Sequence, residues 1–303
     1  MHDIIIIGAG PAGLTAAIYA RRANKTVLLL EKGAFGGQIT FSPKVENYPG
    51  FDSLSGTELA DHFVEQALGQ GADVEIETVT GIRDDGDRKV VTTEDGTEYE
   101  AKAVIIAAGA KYRHLGLPNE DIHLGEGISF CAVCDGAFYK DKTVALVGGG
   151  NSALQEAILL SETCKQVIVV QNLDYLTGEQ ALQDIVAKRD NVEVRLGTVV
   201  AALPATAPLD RVTLRRVADD TTYDLPVDGL FVAIGLEPEN GPFESVVSLN
   251  DWGYVDAGED CLTRTPGVFV AGDCRSKTVR QVTTATGDGA VAAIAACRYI
   301  DSL

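Results

Sequence analysis

Gly8-Ala9-Gly10-Pro11-Ala12-Gly13 and Gly148-Gly149-Gly150-Asn151-Ser152-Ala153 are two copies of one glycine-rich turn, set 140 residues apart. Each stands in the same surroundings. The first follows the apolar run Ile4-Ile5-Ile6-Ile7, opens an Ala-rich segment, and is succeeded by Val27-Leu28-Leu29-Leu30-Glu31. The second follows Val144-Ala145-Leu146-Val147 and is succeeded by Val167-Ile168-Val169-Val170-Gln171. Continuous apolar runs, as opposed to alternating ones, suit parallel strands covered on both faces by helices. The repeat predicts an α/β chain with two three-layer domains, each built from strand, turn, helix and second strand.

Such a turn is the Rossmann-like dinucleotide signature. Its first glycine makes the turn, its second lets backbone approach a pyrophosphate, and its third small residue lets helix and strand pack closely. One match is weak; two in register, each after a strand, are specific. The end of the second strand decides what each copy binds, because a carboxylate there pairs with ribose hydroxyls. Glu31 is that carboxylate in the first copy, with a solvated strand end as the rival reading. The equivalent position in the second copy is Gln171, followed by Asn172, Leu173 and Asp174, with neither a ribose carboxylate nor a phosphate-binding arginine.

Cys131-Ala132-Val133-Cys134-Asp135 lies just before the second copy. Cys-x-x-Cys at the start of a helix lets two thiols close a small disulfide, which suits electron transfer. Half of a zinc site is the alternative, but no second pair with that spacing completes four ligands. Asp135 can donate or accept a proton during thiol exchange, or serve as a helix N-cap. The remaining cysteines, 164, 261, 274 and 297, lack iron–sulfur spacing and read as buried small apolar residues.

The 303 residues suffice for two domains, and 46% apolar with 23% charged residues is a globular composition. A formal charge of −19 argues against nucleic acid or an anionic membrane as partner. The start Met1-His2-Asp3 runs straight into a strand without an export signal, and no apolar run approaches membrane-spanning length. With one close cysteine pair and no disulfide framework, a soluble protein of the reducing cytoplasm is expected.

A third signature, Thr265-Pro266-Gly267-Val268-Phe269-Val270-Ala271-Gly272-Asp273, reads as turn, strand and Gly-Asp end. Together with Gly36-Gly37-Gln38, Val45 to Gly50, Ala108-Gly109-Ala110, the cysteine motif, and Arg280-Gln281-Val282 before Gly287-Asp288-Gly289, it makes the chain resemble a low-molecular-weight flavin thioredoxin reductase over nearly its whole length. The resemblance implies a discontinuous FAD-binding domain, residues 1–113 and 237–303. It also implies an inserted nicotinamide-domain-like unit, 114–236, that carries the dithiol, with hinges near Arg113 and Gly235 to Pro238. It assigns to FAD the residues Gly8, Gly10, Pro11, Ala12, Gly13, Glu31, Lys32, Gly37, Gln38, Asn47, Ala108, Gly109, Gly272, Asp273, Arg280, Gln281 and Val282. A helix from Thr284 to Tyr299 would aim its N-terminus at the flavin. Cys134 would face the flavin, Cys131 would attack a thioredoxin-like partner, and the protein would be a homodimer.

One departure bears on the electron donor. NADPH-using members carry a His-Arg-Arg-x-x-x-Arg cluster where this chain reads Gln171-Asn172-Leu173-Asp174-Tyr175-Leu176-Thr177. Each lost charge-assisted phosphate contact is worth on the order of 1.5–3 kcal/mol, so two or three weaken NADPH binding by roughly a hundredfold or more. The resemblance is then closer to ferredoxin-dependent flavin thioredoxin reductases, since isoalloxazine can bridge a one-electron donor and a two-electron disulfide. Docking an acidic ferredoxin would call for a local basic patch, with Lys102, Lys111 and Arg113 as candidates. A relaxed NADH or NADPH site, and a redox-sensing flavin-binding module without turnover, are the competing readings.

Overall fold

The computed structural model describes residues 1–42 and 44–303 and divides into two compact units, Met1–Lys111 with Glu237–Leu303, and Tyr112–Leu236. Among the described residues the α-helices are α1 (Pro11–Arg22), α2 (Gly56–Gly69), α3 (Ala132–Asp135), α4 (Asn151–Ser161), α5 (Gln180–Val186) and α6 (Val282–Asp301).

The first unit is organised by the strand His2–Ile7. Strands Val27–Glu31 and Glu98–Ile106 flank it in parallel, with Ile4 opposite Val27 and Ala103. Asp73–Ile76 extends one side, and Val268–Val270 pairs in parallel with Glu98–Ile106. Lys89–Thr93 and Val79–Asp84 continue antiparallel on the other side. Ile4, Ile5 and Ile6 are fully buried, alternating between the two apolar clusters on the two faces of the sheet. That is why the run carries no polar alternation. Each such side chain contributes roughly 1.5–3 kcal/mol relative to exposure.

The C-terminal segment belongs here because α6 packs on α1. A Cβ on Gly289 would lie 2.2 Å from the Ala12 carbonyl oxygen, so the two helices meet at a position only glycine fills. The helix expected from Thr284 begins two residues earlier, because Gln281 caps it in a reciprocal box with Thr284.

In the second unit a parallel sheet runs in the order Val192–Arg195, Gln166–Val170, Thr143–Val147, Gly229–Val232, Ile128–Ser129. An antiparallel three-stranded sheet, Thr198–Ala202, Arg211–Arg216 and Thr222–Pro226, is added to it. Both units therefore have the strand–turn–helix–strand core expected of the repeat. No helix among the described residues is long and apolar enough to cross a membrane.

Candidate active site

The glycine turn of the first unit is shaped by close approach. Gly8 has φ +103°, and a Cβ there would sit 2.4 Å from the Ala107 carbonyl oxygen, which brings Ala108 against the turn. A Cβ on Gly13 would sit 1.9 Å from the Gly8 oxygen, so helix and strand meet at backbone distance. Gly10 is the N-cap of α1 with no side-chain hydrogen bond, and Pro11 occupies the first turn. The first-turn amides of α1 thus face outward without a side-chain acceptor, as a bound pyrophosphate requires. Gly37 approaches Gly10 closely enough that its Cβ would lie 3.1 Å from the Gly10 Cα, keeping this wall bare of side chains. Glu31 stands at the rim, its Oε2 accepting from the Ala9 amide at 2.7 Å and its Oε1 from the Gly33 amide at 2.9 Å.

The C-terminal residues close on the same turn. A Cβ on Gly272, which has φ +81°, would lie 2.9 Å from the Ala12 Cβ. Asp273 follows, and its Oδ1 is buried without a hydrogen-bond partner among the described residues. Burial raises its pKa, with Lys277 and Arg280 pulling it back. Arg280 donates to the Asp273 carbonyl at 3.3 Å and lies over the Tyr254 ring, 4.1 Å from its centre. Asn47 donates to Gln281 Oε1 at 3.4 Å. An orphaned carboxyl oxygen beside a side-chain-free cradle fits the phosphate and ribityl portion of FAD. Lys32 is used differently, in an ion pair with Glu239 that Lys111 shares. Gln38 is exposed and Gly109 is left open, with nothing that a Cβ would meet.

The dithiol region belongs to the second unit. Cys131 and Cys134 form a disulfide with Cα atoms 5.3 Å apart, at the start of α3. The Cys134 amide donates to Cys131 Sγ at 3.2 Å, so Cys131 is the N-cap. Asp135 stands at the N-cap position of the next turn, Gly136–Tyr139, but its side chain makes no cap hydrogen bond. Its Oδ2 accepts from Ser129 Oγ at 2.6 Å while the Cys131 amide donates to the same hydroxyl at 3.1 Å. Burial raises the Asp135 pKa, opposed by that serine, and its Oδ1 is buried without a partner among the described residues. A carboxyl that keeps its proton to higher pH is suited to handing one to sulfur. Val133, between the cysteines, is exposed.

The second glycine turn keeps its backbone but not its chemistry. Gly148 has φ +137°, and a Cβ there would lie 2.5 Å from the Ala233 oxygen. Gln171 is buried and packs over Gly149, where a Cβ would lie 2.5 Å from its Cδ. Glu31 accepts from the first turn; Gln171 instead donates Nε2 to the Tyr175 carbonyl at 3.3 Å. The Thr177 and Gly178 amides donate to the Gly149 oxygen at 2.8 and 2.9 Å, so the segment that would hold cations folds against the turn and carries none.

Several contributors escaped the sequence reading. Ser129 looked like any strand serine. Asp288, Arg275 and Lys277 form a buried cluster behind Gly272. Glu156 was readable in principle, as the lone charge in α4. Of the proposed basic patch, Lys102 pairs with Asp3 and Lys111 with Glu239, while Arg113 is exposed.

Residues 2–289 match the family described as pyridine nucleotide-disulphide oxidoreductase. The chain belongs to that family. Among similar proteins, a "34.2 kDa protein in rubredoxin operon" of Clostridium pasteurianum is 42% identical over 98% of this chain and 97% of its own length. The thioredoxin reductase of Bacillus subtilis is 40% identical over 100% of this chain and 96% of its own. The crystal structure of thioredoxin reductase from Streptococcus pyogenes superposes with a TM-score of 0.95 at 41% identity, covering 100% of this chain and 99% of that one. Within the family the chain is of the low-molecular-weight thioredoxin reductase type, a flavoprotein oxidoreductase with FAD as cofactor.

Proposed function

We propose that the protein is a thioredoxin-disulfide reductase whose electrons come from a one-electron carrier of the ferredoxin class and leave through Cys131 and Cys134 to a thioredoxin-like protein. FAD supplies a carrier able to take electrons singly and pass them on in pairs. The chain's own residues do the rest. Gly8, Gly10, Pro11, Ala12, Gly13 and Gly37 leave room for the pyrophosphate, Glu31 takes the ribose, and Asp273, Arg280, Gln281, Val282 and Asn47 line the other end. Two electrons and two protons open the Cys131–Cys134 bond. The Cys131 thiolate attacks the partner's disulfide, expelling one partner sulfur, and Cys134 then attacks the mixed disulfide, releasing the second. Asp135, steadied by Ser129, exchanges protons with the pair. The reading extends to a homodimer acting in the reducing cytoplasm, in keeping with the single close cysteine pair.

The observation that carries the donor assignment is the Gln171–Thr177 segment, which lies against its glycine turn with no cationic side chain. A second reading, a relaxed NADH or NADPH site, is favoured by the intact Gly148 turn and the uncapped start of α4. Anaerobic stopped-flow separates them: reduced ferredoxin should bleach the flavin rapidly and micromolar NADPH or NADH should not. Rapid bleaching by NADPH, followed by turnover of thioredoxin disulfide, overturns the ferredoxin assignment.

A further inference from the structure

Glu156 is the only ionisable side chain within α4, whose buried positions are Ala153, Leu154, Ala157, Leu160 and Ser161. α4 packs on α3, and the Glu156 carboxyl reaches the amide of Ala132, the residue after Cys131. Its Oε2 is buried and has no hydrogen-bond partner among the described residues. The cysteine pair is thus bracketed by two carboxyls. Asp135 acts through Ser129 on the Cys131 amide, and Glu156 engages the next amide along.

We propose that Glu156 is a positioning residue that carries one of the two protons of dithiol reduction, taking it up when the Cys131–Cys134 bond opens and releasing it when the bond re-forms. The inference rests on the dithiol chemistry proposed above. Two electrons, supplied by the one-electron carrier proposed above, break the S–S bond and leave two sulfur anions. One sulfur takes a proton and the other remains a thiolate, ready for attack. The second proton goes from solvent to Glu156, because a new anion beside a buried carboxylate disfavours two adjacent negative charges. When the partner's disulfide receives the electrons, the Cys131–Cys134 bond closes. The sulfur proton and the Glu156 proton are then both lost, matching the two that the partner's thiols require.

Burial supports this by pushing the Glu156 pKa up to about 7, with only the Ala132 amide opposing, so the group is poised between its two states near neutrality. Of the elements packed on α4, α3 with its N-cap brings Cys131, Cys134 and Asp135, α5 brings Asp184, and the turn Gly136–Tyr139, which meets Leu160 at Gly136, brings Tyr139. The strands Thr143–Val147 and Gln166–Val170 bring no ionisable group. No charged side chain contributes to the shift.

The test uses the FAD-loaded full chain and its Glu156→Gln variant, equilibrated in dithiothreitol redox buffers between about pH 6 and pH 9. Alkylation and mass shift report the fraction of the pair reduced, and the pH slope of the midpoint gives protons taken up per two electrons. Just above neutrality the wild type should take up nearly two and the variant about one. Equal counts in both overturn the inference while leaving the dithiol reading intact; a pair that cannot be reduced in either protein sinks both. Should the variant not fold, the wild type alone decides. Its reduced-minus-oxidised infrared spectrum near pH 7.5 should gain a protonated carboxyl band, and no such band overturns the proposal.

Discussion

Arg275 meets Asp288 side-on, its Nε and Nη2 donating to Oδ2 and Oδ1 at 2.8 and 2.9 Å, with the two residues only 1% and 6% exposed. Oδ2 also accepts from Lys277 Nζ at 2.8 Å and from the Gly272 amide at 3.0 Å. One carboxylate on α6 therefore fixes the turn that presents Asp273. Asp288→Asn keeps the shape but leaves the buried Lys277 ammonium without its carboxylate and the Arg275 guanidinium with only the exposed Glu259, 3.1 Å away, which costs on the order of 3–5 kcal/mol. Urea unfolding of the FAD-free chain should show that loss, and FAD should dissociate more readily. Burial pushes the Asp288 pKa up, but Arg275 and Lys277 more than reverse it, so the carboxyl is held below its usual range. Its contribution is present above the ordinary aspartate pKa and is lost as pH falls through the lowered value. A change under about 0.5 kcal/mol would show that water already reaches the cluster.

Glu31 offers a cleaner test of the cofactor cradle, because it touches the turn directly through the Ala9 amide. Glu31→Ala removes both that acceptor and the acid proposed for the ribose. FAD affinity should fall by roughly ten- to a hundredfold, while stability without FAD drops by about 1–3 kcal/mol for the orphaned amide. Flavin fluorescence on titration into the FAD-free chain measures the first. An unchanged dissociation constant would remove Glu31 from the site.

The donor assignment can be challenged by restoring what is missing. Asn172, Leu173 and Thr177 are exposed, so cations placed there do not disturb the core. The triple variant Asn172→Arg, Leu173→Arg, Thr177→Arg should let NADPH reduce the flavin about a hundredfold faster at micromolar levels, with little change for NADH. If NADPH remains inert, the fault lies in the turn itself, where Thr177 and Gly178 bond to Gly149.

What could be read from the sequence follows from how local each cause is. The two glycine turns announced themselves by their pattern, which has one local cause in Gly13 meeting the Gly8 oxygen within a strand–turn–helix unit, whereas the Ala107 and Ala233 oxygens that crowd Gly8 and Gly148 lie far off in the chain. The cysteine pair did so by its spacing. Asn47 and Gln281, 234 positions apart, were joined only through family resemblance, and the structure brings their side chains together. Asp288 entered the resemblance only as part of Gly287-Asp288-Gly289, and its pairing with Arg275 gave no signal, since neither a turn arginine nor a helix aspartate is unusual until both are buried. Lys102 and Lys111 misled for the same reason: charge is visible in a sequence, but the Asp3 and Glu239 carboxylates that neutralise it are distant in the chain.

Glu156 makes a stability prediction independent of electron transfer. Its folded-state pKa is raised to about 7 from an ordinary 4.5, so the folded chain binds its proton more tightly than the unfolded chain does. The associated stability is fully present below the unfolded value and is lost as pH rises through the folded one. Above that range the wild type carries a buried carboxylate with an unpartnered oxygen. Glu156→Gln has no charge to bury, so its unfolding free energy should match the wild type near pH 4.5 and exceed it at pH 8 by on the order of 1–3 kcal/mol. Chemical denaturation of the oxidised, FAD-loaded proteins across this interval reads the difference. A constant offset at every pH would mean that Glu156 is ionised throughout and that its carboxyl is better hydrated than the packing of α4 on α3 allows.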